Sequence, residues 1–179
     1  MGKKVLILSG SPRRGGNSDI LCDQFLSGAA DAGSEVEKIF IRDKNINYCL
    51  ACGTCYAKKL ACVHNDDMPG IMEKMINADV IVMATPVWFY AMSGQMKVLI
   101  DRTISRFMEI SDKDMYFIVA AHNDKKESME RVLEGFRGYM ACLNGAKEKG
   151  IVYGLGVFDA GEIKTHPAMR EAYEMGKSV

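Results

Sequence analysis

The sequence has no excess charge of either sign: Lys and Arg total 23, and so do Asp and Glu. A chain so balanced presents no basic field to nucleic acid or to an anionic membrane surface. Long apolar runs are missing as well. Those present, such as Val5 to Leu8 and Val80 to Ala84, are strand-length, against the ~20 residues of a membrane-spanning helix. The first run stops at Ser9-Gly10-Ser11-Pro12, too soon for the apolar core of an export signal. Gly2 opens no myristoylation motif, because Leu6 stands where Ser or Thr is required. No repeat, linker or low-complexity stretch divides the chain. Residues 1–179 therefore read as a single domain, with a cysteine-rich loop inserted at about 47–66. What remains is a globular protein of ordinary apolar content (48%), long enough for a proper core and expected in the cytoplasm.

What is present alternates. Lys3 to Ser9 is a buried-strand pattern, followed by a glycine-rich turn and a helix capped by Asn17 or Ser18 that runs to about Ala32. Glu35 to Ile41 predicts a second strand, and Asp66-Asp67-Met68-Pro69 starts a second helix with acidic residues at its positive end. Met68, Met72 and Met75 recur at helical spacing and mark a packed face. Val80 to Ala84 predicts a strand and Ser93 to about Arg106 a helix. Met115 to Ala121 predicts a strand and Glu127 to about Lys149 a long helix. Ile151 to Val157 predicts the fifth strand, and a last helix follows Pro167. Strands alternating with helices through short connections imply a parallel sheet covered on both faces. Five such units suit an α/β, flavodoxin-like, doubly wound sheet of order 2-1-3-4-5. Its ligand belongs at the carboxyl ends of strands 1, 3 and 4.

The turn after the first strand is Ser9-Gly10-Ser11-Pro12-Arg13-Arg14-Gly15-Gly16-Asn17-Ser18. At that place backbone N–H groups, hydroxyls and the positive end of a helix converge outside the sheet. Ser11, Asn17 and Ser18 offer neutral hydrogen bonds, and Arg13 or Arg14 adds charge for a dianion. The turn lacks the lysine of a P-loop and contains no Gly-x-Gly-x-x-Gly. A terminal monophosphate such as that of FMN fits it better than a pyrophosphate. The plain alternative is a solvated turn of small residues.

Thr85-Pro86-Val87-Trp88-Phe89-Tyr90 follows the third strand across the switch point. Three consecutive aromatics directly after a buried strand cannot all enter a core, so at least one is expected to line a cleft that takes a flat ring. An exposed dimer interface is the competing reading, compatible with the first. Asp101 and Arg102 read as a solvated or interface pair without chemistry.

Four of the six cysteines lie in Cys49-Leu-Ala-Cys52-Gly-Thr-Cys55 and, six residues on, Cys62. Three readings stay open. The four thiolates have the count and spacing style of a [4Fe-4S] centre. Zinc takes the same four, or His64 in place of one, although structural zinc usually pairs two Cys-x2-Cys knuckles at longer separation. Unmetallated thiols or disulfides are the third. Cys22 and Cys142, inside the first and fourth helices, read as buried structural thiols, and His64 as a surface residue.

In order along the chain, Ser9-Gly10-Ser11-Pro12-Arg13…Asn17-Ser18, Asp66-Asp67-Met68, Thr85-Pro86-Val87-Trp88 and Ser93-Gly94…Lys97…Asp101-Arg102 resemble the NADPH-dependent FMN reductase family. With the cysteine loop, the chain is most similar to the iron-sulfur flavoprotein branch. The match covers roughly the first 110 residues. The resemblance implies FMN held by its phosphate in the first loop, at Ser11, Arg13, Asn17 and Ser18. It implies the isoalloxazine ring among Pro86, Val87, Trp88, Phe89 and Tyr90, and a homodimer or homotetramer with the cysteine loop near a flavin, sometimes a neighbour's. His122 is a further candidate contact, in a segment (Ala120-Ala121-His122-Asn123-Asp124) without the glycines usual there. Cys49, Cys52, Cys55 and Cys62 become the candidate ligands of a [4Fe-4S] cluster.

The expected function is that of an FMN-dependent oxidoreductase passing electrons between FMN and the cluster, with no side chain assigned as catalytic. Its electron partners are small molecules or proteins: NAD(P)H, a quinone or ferredoxin. The alternative is a plain NAD(P)H-dependent FMN or quinone reductase without a cluster. A zinc-stabilised binding module explains least, since it leaves the phosphate loop without a purpose.

Overall fold

The structure, a computed structural model, describes residues 2–58 and 61–179. Its inner strands are β1 (Lys4–Ser9), β3 (Val80–Pro86) and β4 (Asp114–Ala121). Each is nearly continuous in apolar residues because helices cover both of its faces. The edges are β2 (Glu35–Phe40) and β5 (Lys147–Leu155), which begin with exposed charged residues. All neighbours pair in parallel, in the order β2-β1-β3-β4-β5, the order expected.

Alternation along the strands sorts the core into two layers. Leu6, Leu8, Ile81, Met83 and Phe117 face one way. They pack on α2 (Met68–Asn77), α3 (Gly94–Arg102) and α4 (Glu130–Met140) through Met72, Met75, Met96, Leu99, Leu133 and Phe136. Val5, Ile7, Val82 and Ile118 face the other way, onto Leu21, Phe25 and Ala172 of α1 (Asn17–Asp31) and α5 (Ala168–Lys177). The last two helices cross in contact: a methyl group on Gly28 would overlap the Tyr173 carbonyl, and one on Gly176 the Phe25 carbonyl. No helix among the described residues is long and apolar enough to cross a membrane.

The structure differs from the sequence pattern in several places. α3 stops at Arg102 and gives way to two 3-10 turns, Thr103–Ser105 and Phe107–Glu109, because Arg102 turns into the fold instead of along a helix surface. The long helix predicted to Lys149 ends at Met140. Leu143 tucks into the core beyond that end, Asn144 accepts from the Asp112 N–H, and Gly145 takes a left-handed turn (φ 71°). The freed residues Lys147 to Lys149 start β5, pairing with Asp114 and Met115 across a bulge. Cys142 consequently lies exposed beyond the helix, while Cys22 is buried in α1. Gly16, not Asn17 or Ser18, occupies the cap position of α1.

β1 sends its chain to α1 on one face, and neighbouring β3 sends its chain to α3 on the other. This divergence opens the crevice in which doubly wound folds bind ligands.

Candidate functional site

The first loop is tied down before it reaches the crevice. The Gly10 N–H donates to the Ala84 carbonyl (2.8 Å), and the Ser93 hydroxyl donates to the Gly10 carbonyl (2.7 Å). The Ser11 hydroxyl donates to the Arg13 carbonyl (2.7 Å) and accepts from the Arg13 N–H (3.1 Å). Gly15 has φ 65° and donates its N–H to the buried Asp19 carboxylate (3.0 Å), which also accepts from Ser9 and Lys38. A Cβ at Gly16 would press on the Ser11 hydroxyl at 2.8 Å, so only glycine leaves that side open. The loop is thus a fixed cradle at the start of α1, where the first N–H groups lack intrahelical partners.

Two side chains in that cradle decide its character. Ser18 is 1% exposed, lines the crevice, and its hydroxyl has no hydrogen-bond partner. Arg13 also lines the crevice, with its guanidinium 6.0 Å from the centre of the Trp88 ring. Arg14 is turned away to Asp43 and the Phe40 ring, which settles which arginine faces the site. Asn17 lines the crevice too, but its amide is already engaged. Its Oδ1 accepts from the N–H groups of Gly161 (3.1 Å) and Ile163 (3.3 Å), and its Nδ2 donates to the Asp159 carbonyl (3.0 Å).

Opposite the cradle runs the loop after β3. The Thr85 hydroxyl donates to the Pro86 carbonyl and accepts from the Ser93 N–H, and the Val87 N–H donates to the Ala120 carbonyl. Pro86, Val87 and Trp88 line the crevice. Trp88 and Ala91 then exchange backbone hydrogen bonds (3.0 and 2.9 Å) around Phe89 and Tyr90, both left-handed with φ 50° and 62°. That is the geometry of a type I′ turn, normally made by Asn and Gly. Phe89 and Tyr90 are carried out of the crevice, with Phe89 98% exposed.

Ala120, Ala121 and His122 form the third wall. His122 is solvent-exposed and stands edge-on to Phe158 (5.5 Å). A fourth wall, Val157, Phe158 and Ala160 after β5, was not read from the sequence. Its signal was positional: Val157 to Gly161 leaves a strand on the same carboxyl edge of the sheet. The cleft holds about 710 Å³ of empty space, counted with its open mouth.

The cysteine loop makes a second cavity. Cys49, Cys52, Cys55 and Cys62 all border it, with His64, Leu50, Tyr56, Ile104 and Arg102. Residues 59 and 60, inside the last gap of the motif, lie outside the described residues. All six cysteines are free thiols, and among the described residues no three His, Cys, Asp or Glu side chains close on a single-ion point. His64 is half-buried, its Nε2 3.0 Å from the Tyr48 carbonyl oxygen. The Thr54 hydroxyl beside Cys52 lowers that thiol's pKa.

Arg102 contradicts its reading as a solvated or interface pair with Asp101. Asp101 stays outside with Lys97 (2.6 Å), whereas Arg102 forks onto Asp66 (2.5 and 3.1 Å) with side chains 2% and 0% exposed. Burial alone would raise the pKa of Asp66. The guanidinium and the N–H groups of Asn47 and Met68 more than reverse this and hold it well below the usual carboxylate range.

Residues 3–145 match the family model of NADPH-dependent FMN reductase. The chain belongs to the NADPH-dependent FMN reductase family. Within that family it is 41% identical over 101 residues to an iron-sulfur flavoprotein of Archaeoglobus fulgidus, covering 56% of this chain and 46% of the relative. It is 40% identical over 100 residues to iron-sulfur flavoprotein MJ1083 of Methanocaldococcus jannaschii (56% and 51%). The chain thus spans about half the length of the curated relatives it matches. The fold aligns with the NAD(P)H:quinone oxidoreductase from Methanothermobacter marburgensis at a TM-score of 0.76, with 16% identity and 99% and 97% coverage.

Proposed function

We propose that this chain, as a single domain, is an FMN-dependent oxidoreductase that holds FMN in the crevice and couples it to a [4Fe-4S] centre in the cysteine loop. The observation that carries the FMN half is Ser18: a buried hydroxyl without a partner, at a helix start, in a cradle only glycine keeps open. A phosphate oxygen supplies the partner it lacks. The N–H groups at the start of α1 lie beside it, Ser11 fixes the loop through its two bonds to the Arg13 backbone, and Arg13 supplies the positive charge. Trp88 and the small side chains Ala120 and Ala121 leave room for a flat ring, with Pro86 and Val87 on its other border. His122 and Phe158 close the outer rim. Asn17 shapes the site by fastening the wall after β5, and Phe89 and Tyr90 are left to an exposed role beside it.

The four cysteines border a cavity, not a point, which suits a polynuclear centre with a thiolate at each corner better than one ion. When bound, FMN supplies two-electron chemistry that it can release singly, and the cluster accepts one electron at a time. This chain's residues bind, orient and shield these groups, and none is assigned a proton transfer. The proposed electron partners are NAD(P)H, a quinone or ferredoxin, with NAD(P)H or ferredoxin as the donor, in a cytoplasmic homodimer or homotetramer. A second reading, a plain NAD(P)H-dependent FMN or quinone reductase, leaves the four loop cysteines as the free thiols they are here.

Absorption spectra of anaerobically purified protein separate the two. Flavin bands plus a broad shoulder bleached by dithionite are expected. Flavin bands alone, with no iron retained after anaerobic reconstitution, select the plain reductase. Protein that stays flavin-free when titrated with FMN overturns both.

A further inference from the structure

The residues at the base of the cysteine loop are arranged around one side chain. Arg102, the last residue of α3, donates from Nη1 to the Asn47 carbonyl (2.6 Å) and Asp66 Oδ2 (2.5 Å). Its Nη2 donates to Asp66 Oδ1 (3.1 Å) and meets the Cys62 sulfur at 3.5 Å. Asp66 in turn accepts from the N–H (3.0 Å) and amide (3.3 Å) of Asn47 and from the N–H of Met68. Asn47 and Asp66 are the two ends of the loop that carries all four thiols. One buried guanidinium therefore joins both ends to α3 and reaches a sulfur.

We propose that Arg102 is the positioning residue of the cysteine loop: it shuts the loop at its base before any metal enters and sets one N–H against the Cys62 sulfur. Stability alone does not account for the pair. A buried ion pair is often no better than apolar residues of similar volume, so its use here fits fixing one geometry among several. A guanidinium suits this task because its planar fork reaches carboxylate, carbonyl and sulfur together, which an ammonium on a flexible stem does not. Hydrogen bonds to the sulfurs are among the features that set the potential of an iron-sulfur centre, so the same contact acts on the proposed cluster. α3 thereby connects the two sites. Its first turn is capped by Ser93, which is bonded to both cofactor-cleft loops, and its last residue holds the thiols.

The loop-shutting part stands on the described contacts, and the sulfur part rests on the proposed cluster, so the test has two arms. Arg102→Lys keeps the charge without the fork. Arg102→Met combined with Asp66→Leu removes the pair without leaving a buried charge unpaired. In metal-free protein, hydrogen exchange of amides 47–58 and 61–66 should quicken about tenfold or more in both variants, while the strands stay protected and FMN affinity is unchanged. Unchanged loop exchange in the double variant overturns the positioning role, and so does an equal loss of protection throughout the sheet, which marks a merely structural pair. After anaerobic reconstitution, Arg102→Lys should retain less iron and show a lower midpoint potential than the parent. An unchanged potential overturns the sulfur contact. Failure of the parent itself to take up iron refutes the cluster and the sulfur contact with it, while the exchange arm is still read in full.

Discussion

A buried hydroxyl with no partner destabilises a protein by about 1–3 kcal/mol, and Ser18 carries that penalty at the start of α1. Two changes of opposite sign follow from removing it. Ser18→Ala should stabilise the flavin-free protein by about 1 kcal/mol in urea unfolding and weaken FMN binding roughly tenfold in a fluorescence titration. Unchanged affinity would mean that the phosphate lies elsewhere. The sequence showed that position 18 offers a hydroxyl in the right loop; it did not show that the hydroxyl is orphaned. Arg13 and Arg14 were equally eligible for the same reason. Asp43 and Phe40, which draw Arg14 aside, come from the neighbouring strand and its following turn. Arg102 was misread because its partner Asp66 is 36 residues away, and pairing over that range leaves no local mark.

Among the elements, the inner strands were legible because burial on both faces demands unbroken apolar runs. The end of α4 was not. Apolar spacing continues through Leu143 after the helix has stopped, and Lys147-Glu148-Lys149 looks helical and polar because an edge strand's start is exposed. The fourth wall of the cleft was missed because its residues have no distinguishing chemistry, only a place on the sheet edge. The turn at Phe89 and Tyr90 shows local preference overruled. A left-handed side chain costs about 1–2 kcal/mol, and here two aromatic residues accept it in succession. Phe89→Asn with Tyr90→Gly supplies the preferred residues of a type I′ turn, and should raise unfolding stability at low protein concentration by about 1 kcal/mol. The same variant should associate less in sedimentation, since Phe89 is the most exposed large apolar side chain among the described residues. A destabilised variant would show that the aromatics are held by contacts within one chain.

For the whole molecule, the joint between α1 and α5 closes the second core layer. With backbone carbonyls where a methyl group would sit at Gly28 and Gly176, Gly28→Ala should destabilise by about 1–3 kcal/mol, read as a lower melting temperature at equal FMN saturation. An unchanged midpoint would mean that the two helices separate freely. At the far end of the same joint, the Tyr173 hydroxyl donates to Asp31 (2.8 Å) across 142 residues of chain. On a ribosome adding 5–20 residues per second, α1 waits of the order of ten seconds for the helix that shelters it. During that interval the side of α1 that α5 later covers, around Phe25 and Gly28, is exposed, and the growing chain is most open to aggregation there. A flavin that needs all four walls of the crevice would bind only after the wall beyond β5 has been made, so cofactor loading would report chains extended past Ala160.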